Sequence, residues 1–163
     1  MKLFVFSLII ASFFSGCIKK IPYDCDEPIY LSFEKLRSAY PAVKQPREID
    51  KAGKIYVYGD ILLINEKNKG IHVVDNRVKE TPIRKYFIEI PGNIDMAVKD
   101  DYLYVDSFTD MVVLSIKDID NIHVVYRKEK VFPYDITQAL AKNDSKRNLC
   151  SYDESRGFII GYK

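Results

Sequence analysis

The sequence predicts an all-β chain: an incomplete β-propeller-like array of about two four-stranded antiparallel blades, preceded by an N-terminal signal helix. Three observations lead there. The first is a self-match. Displaced by 41 positions, Ile55 falls on Met96, Val57 on Val98, Leu62 on Leu103 and Ile64 on Val105. The match continues with Ile71 on Val112, Val73 on Leu114, Ile83 on Val124 and Ile90 on Val131, while Asp60 falls on Asp101. A repeat of about 40–45 residues carrying four short strands has the size of a propeller blade. The second is texture, since β-branched and aromatic runs alternate with Gly, Asn and Asp turns from Lys54 onward. The third is a short apolar stretch at the start of the chain, too brief to span a bilayer.

That stretch runs from Leu3 to Phe14 behind Lys2 and ends in Ser15-Gly16-Cys17. A basic start, an apolar core and small residues at a cleavage site make a signal peptide. Phe14-Ser15-Gly16-Cys17 resembles the bacterial lipobox, with Phe where Leu is usual. The resemblance implies removal of residues 1–16 and lipidation of Cys17; a plain secretory peptide cleaved nearby is the alternative. Several acyl chains on one cysteine anchor stably at about 0.8 kcal/mol per buried methylene. The expected address is therefore the cell envelope, with the protein tethered to a membrane on its periplasmic or outer face.

Residues 17–50 are expected to be a tether and lead-in, broken by Pro22, Pro28, Pro41 and Pro46. Within it, Ser32 can cap a helical turn over residues 33–37, and Val43 to Ile49 reads as extended. The repeat region is placed at 51–163, with repeats at about 54–94 and 95–135. In the first, Ile55–Tyr58 is a strand closed by the Gly59-Asp60 turn. Ile61–Ile64 is continuously apolar, as in a strand buried on both faces. Asn65 to Gly70 is read as a polar loop, Ile71–Asp75 as a strand, and Ile83–Ile90 as the outer strand ended by Pro91-Gly92. The cycle restarts with Ile94–Val98, Tyr102–Val105, Val112–Ile116 and Ile122–Tyr126. Beyond Pro133 the register dissolves; Asp135–Lys142 is expected as a short helix and Gly157–Tyr162 as a last strand. A chain ending on a strand, without a cap, is expected to be cut short; alternatively, since two blades stand where propellers hold typically four to eight, the β edges left open are completed by a partner or another copy.

Composition narrows the partners. Lys plus Arg number 25 against 23 Asp plus Glu, and the basic pairs Arg127-Lys128 and Lys146-Arg147 are diluted by acids. Nucleic acid is not an expected partner. Once Cys17 is lipidated, Cys25 and Cys150 remain; they pair outside the cytoplasm or stay free.

The chemistry-bearing residues read as structural. His72 and His123 sit on strands with no companion ligands at metal spacing. Asp95, Asp100, Asp101, Asp106 and Asp110 lack the spacing of a calcium loop and recur as turn residues. No nucleophile elbow, His-Glu-x-x-His or phosphate-cradling glycine loop is present. No catalytic residue, metal or cofactor is expected.

Leu62-Leu63-Ile64-Asn65-Glu66 with Gly70-Ile71-His72-Val73-Val74-Asp75, and Ile90-Pro91-Gly92-Asn93-Ile94-Asp95 with Leu103-Tyr104-Val105-Asp106, resemble the LVIVD-repeat proteins. The likeness covers roughly residues 53–133. It implies repeats of this length building a β-propeller in secreted or surface proteins of bacteria and archaea, and carries over no site residues. The expected function is a lipid-anchored, non-enzymatic interaction scaffold. The alternatives are a degenerate propeller-type hydrolase acting on glycans, or a non-functional fragment of a longer propeller.

Overall fold

The computed structural model describes residues 25–134 and 150–163. The expected signal peptide, Cys17 and the helix expected at Asp135–Lys142 lie outside the described residues.

The described chain is mostly antiparallel β-sheet with one short helix. In order it runs β1 (Pro28–Leu31), α1 (Phe33–Ala39), β2 (Ala42–Lys44), β3 (Ile55–Tyr58), β4 (Ile61–Glu66), β5 (Gly70–Asp75) and β6 (Ile83–Glu89). It continues with β7 (Met96–Lys99), β8 (Tyr102–Ser107), β9 (Asp110–Ser115), β10 (His123–Lys128) and β11 (Phe158–Tyr162). These make a five-stranded sheet ordered β2-β6-β5-β4-β3, a four-stranded sheet ordered β10-β9-β8-β7, and a two-stranded ribbon of β1 and β11.

Strands β3 to β6 and β7 to β10 are sequential antiparallel meanders joined by short connections, whereas β2 joins the first sheet at the opposite edge from β3, beside β6. One core fills the space between them. Leu63, Ile71, Val73, Ile88 and Ile90 come from the first sheet and Met96, Leu103, Val105, Val112, Leu114 and Ile116 from the second. The opposite face of the first sheet is only half covered: Leu62 and Ile64 are half-buried, and Ile55 and Val57 are 56% and 64% exposed. The apolar run Ile61–Ile64, expected to be buried on both faces, is thus fully buried only at Leu63.

The pairing registers of the two sheets correspond over part of their length. Val57 pairs with Leu62 as Val98 pairs with Leu103, so β3 and β4 correspond to β7 and β8 at a displacement of 41. Beyond that point the displacement drops by one. Three residues separate the paired Glu66 and Gly70, whereas two separate Ser107 and Asp110. Consequently Val105 faces Val112 where Ile64 faces His72, not Ile71. The same one-residue bulge interrupts both outer pairings, between Val73 and Val74 and between Val124 and Tyr126.

Two further expectations are corrected. Asn65 and Glu66 are not loop; they end β4 and are 0% and 1% exposed, because each meets partners described below. The lead-in is more than a tether. Its β1 pairs with β11, so the last strand has a partner from the other end of the chain, and β2 adds an edge to the first sheet beyond β6. β2 stops at Lys44, and Pro46 just beyond it has no N–H to donate. Ser32 does cap α1, its side chain accepting from the Lys35 N–H. Among the described residues no helix is long and apolar enough to cross a membrane.

Candidate ligand cleft

The turns at one end of the two sheets gather around a cleft of about 710 Å³. The β4–β5 turn supplies Asn68 and Lys69, the β6–β7 connection Pro91, Gly92 and Ile94, and the β8–β9 turn Phe108. Backbone bonds knit these turns together: Asn68 N–H donates to Asn93 O, Gly92 N–H to Asn68 O and Phe108 N–H to Gly92 O. Gly92 has φ +74°, and a Cβ there would lie 2.5 Å from the Phe108 ring, so glycine is what lets the aromatic seat. The far wall comes from Leu31, Tyr134 and Ile159. Lys35, Arg47 and Lys69 give the rim a cationic share, with Glu89 opposing them.

Three buried polar clusters hold this end in shape. In the first, Glu66 accepts from Arg47 at 2.9 Å, Lys69 at 2.6 Å and His72 Nε2 at 2.7 Å. Burial alone would push its carboxyl up. The hydrogen bonds from Lys69 and His72 and the Arg47 charge outweigh that and hold it below the ordinary carboxylate range. An ionised Glu66 only accepts, so His72 carries its proton on Nε2, and its Nδ1 has no partner among the described residues. Arg47 lies over Phe87 at 3.9 Å, and Phe87 leans on the His72 ring at 4.8 Å, closing a stack above the carboxylate.

In the second, Asp110 is wholly buried and accepts from Arg37 at 3.0 Å, Arg127 at 3.1 Å and the Lys130 N–H at 3.1 Å. This cluster fastens α1 to the second sheet. Burial would raise the Asp110 carboxyl, yet the Arg37 hydrogen bond, the Lys130 amide and Arg127 bring it below its usual range.

The third joins Asn65, Asn93 and Asp106. The Asn65 amide donates to Asn93 Oδ1, and Asn93 Nδ2 donates to Asp106 Oδ1 at 2.8 Å. Asp106 also accepts the N–H groups of Ile94 and Asp95. Here burial wins over those backbone bonds and the carboxyl is raised.

Cys25 and Cys150 are disulfide-bonded with Cα atoms 5.1 Å apart, beside the β1–β11 ribbon. Cys17 is outside the described residues. His123 is exposed on β10, its Nδ1 meeting Asn121 O, well apart from His72 on β5. Among the described residues no three His, Cys, Asp or Glu side chains group as metal ligands. The sequence reading took Asp110 for a turn residue, whereas it opens β9 fully buried, and it gave Glu66 and Asn93 no role. Their partners stand up to 73 positions away, as Arg37 does from Asp110, and spacing carries no trace of that. The only local sign is a departure from the repeat, since Gly70 stands where the second sheet has Asp110.

No family model matches the chain, and no curated protein or solved structure matches it either.

Proposed function

We propose that the chain is a propeller-type repeat lipoprotein of LVIVD-like kind, tethered through Cys17 to a membrane of the cell envelope, where it acts as a non-enzymatic interaction scaffold. One observation carries the propeller part: side chains of the first sheet reach residues of the second about one repeat further on. Lys54 Nζ meets Asp95 at 2.8 Å, Tyr56 Oη meets Val98 O at 3.5 Å, and Tyr58 Oη donates to Asp101 at 2.6 Å. Neighbouring blades of a propeller stack in this way, like strand against like strand. The Cys25–Cys150 bond suits an oxidising compartment, in keeping with export.

The binding part rests on the cleft, whose aromatic walls and cationic rim suit an amphipathic ligand held without chemistry. The acids near it favour that reading over a glycan hydrolase. Among the described residues, Glu66 and Asp110 are spent on arginines, Lys69 and His72, and Asp106 on backbone amides, which leaves Glu89 on the cleft without a matching free carboxyl.

The anchor is tested by metabolic labelling with an alkyne-bearing palmitate. Wild type incorporates the label and Cys17→Ala does not; equal labelling of both removes the tether. The sheet stack is tested by linking Tyr58→Cys to Asp101→Cys within one chain with a short bismaleimide. Failure of that pair to react in the folded protein would sink the blade arrangement.

A further inference from the structure

The first sheet presents to solvent an apolar face that the second sheet keeps covered. Ile55, Val57, Leu62 and Ile64 stand where Met96, Val98, Leu103 and Val105 stand one repeat later, and Val74 stands where Leu114 does. In the second sheet these positions pack against the first sheet. In the first sheet Leu62, Ile64 and the buried Val74 line a groove together with Pro46, Ile49 and Ile83, bordered by Arg47, Glu48 and Arg84, while Ile55 and Val57 stand exposed on the same face. A contiguous apolar face of this kind marks an interaction surface.

We infer that a second copy of this chain docks there head to tail, laying the outer face of its second sheet on the exposed face of the first. The inference rests on the stacked-sheet reading above. The contacts already made between the two sheets, moved along by one repeat, find complementary partners. Lys54–Asp95 becomes Asp95 of one copy against Lys54 of the other. Tyr58–Asp101 becomes Lys99 against Asp60. On the outer strands, Tyr86 Oη donates to Asp120 at 2.9 Å, and that contact becomes Tyr126 against Glu80. Lys99, Asp60, Tyr126 and Glu80 are all exposed.

The apolar side matches as well. The outer face of the second sheet offers Tyr102, Tyr104, Met111 and Tyr126, and aromatics and Met are the residues enriched at interfaces. Where the first sheet buries Ile88, the second has Lys128. That exchange fits a receiving groove lined there by Arg47 and Glu48 as well as Pro46 and Ile49, whose mixed polarity does not call for a large apolar residue. The surfaces that meet differ, so the contact is heterologous and each copy keeps one donor and one acceptor face; such a series closes into a ring or runs on as a filament. Propellers hold typically four to eight blades, so two to four copies would close a ring.

The test uses the full chain in sedimentation velocity over a concentration series. Wild type is expected to associate beyond the monomer. Val57→Glu spoils the acceptor face and Tyr104→Glu the donor face; each alone is expected to be monomeric with an unchanged β circular-dichroism spectrum. Mixed in equal amounts, the two variants retain one good face each and form a dimer that stops at two. For substitutions on exposed positions, Asp60→Lys weakens association about fivefold at low salt, and adding Lys99→Asp restores it. A wild type that stays monomeric throughout, or variants that associate as well as wild type, would overturn the inference. So would a mixture that never pairs. The Tyr58–Asp101 linking experiment reads the stack within one chain, so its success alongside a monomeric wild type separates failure of docking from failure of the blade arrangement.

Discussion

Phe108 and Phe158 lie face to face, their ring centroids 4.3 Å apart and their planes parallel. The contact joins the tip of the β8–β9 turn to the first residue of the last strand, and with Leu31 and Leu36 it builds a small second core. This pair and the Arg37–Asp110 contact of the adjoining helix both tie the ribbon end to the second sheet.

Gly92→Ala tests that seat. The new Cβ would fall 2.5–2.7 Å from three Phe108 ring atoms, at a φ of +74° that L side chains rarely adopt. Strain and overpacking together should cost about 2–4 kcal/mol. The expected result is a lower urea midpoint with loss of near-ultraviolet aromatic signal, while the far-ultraviolet β signal persists. An unchanged melt would mean that Phe108 does not depend on this glycine.

Breaking the Cys25–Cys150 bond releases a closed loop of 125 residues. Loop-closure entropy puts the loss at about 2–5 kcal/mol, and Cys25→Ser with Cys150→Ser should reproduce it. Thermal melting with and without reductant measures this. Coincident melts would show that the bond adds nothing to the folded state.

At Asp110 the prediction concerns a broken buried ion pair. Asp110→Ala strands Arg37 and Arg127 and should cost about 2–4 kcal/mol, moderated because Arg37 keeps 24% of its side chain in water. Arg37→Met should cost less, since Arg127 and the Lys130 N–H still serve the carboxylate. Equilibrium urea unfolding of the three proteins gives the order; Arg37→Met as damaging as Asp110→Ala would contradict it.

The pH dependence has two opposing parts. Glu66 and Asp110 sit below the ordinary carboxylate range, so the stability they contribute is complete above an unfolded pKa near about 4 and vanishes as pH falls through their depressed folded values. Asp106 is raised. Folding favours its protonated form, and that contribution is lost as pH climbs through its folded value. Stability should hold or improve slightly from neutral to mild acid, then drop below about pH 4. Asp106→Asn, which copies Asn65 at the matching position, should flatten the mild-acid part and leave the acid drop in place. Urea midpoints across the pH series decide it, and an acid drop absent from wild type would contradict the assignment.

The β character and the succession of strands from β3 to β10 were legible because β-branched apolar runs and the turn residues between them are local signals. Ile55 to Tyr58, Gly59 and Asp60 announce a hairpin without reference to anything distant. The one-residue slip after β4 was not legible, since Ile71 and His72 are equally able to occupy a β position and only pairing with Ile64 decides between them. The polar clusters were hidden for a related reason. Glu66 looks like loop beside Lys67, and only Arg47, Lys69 and His72 converging on it make burial tolerable. The pairing of β1 with β11 joins segments more than a hundred positions apart and leaves no periodic mark in either.

The backbone of Glu27 exchanges both hydrogen bonds with Lys163, just inside the Cys25–Cys150 bond. Traction on the chain ahead of Cys25 would otherwise peel β1 away from its Pro28 end, one rung after another. The sulfur bridge intercepts that pull and hands it directly to Cys150, so the ribbon is spared unzipping and the strain is shared by two strands of polypeptide instead of one.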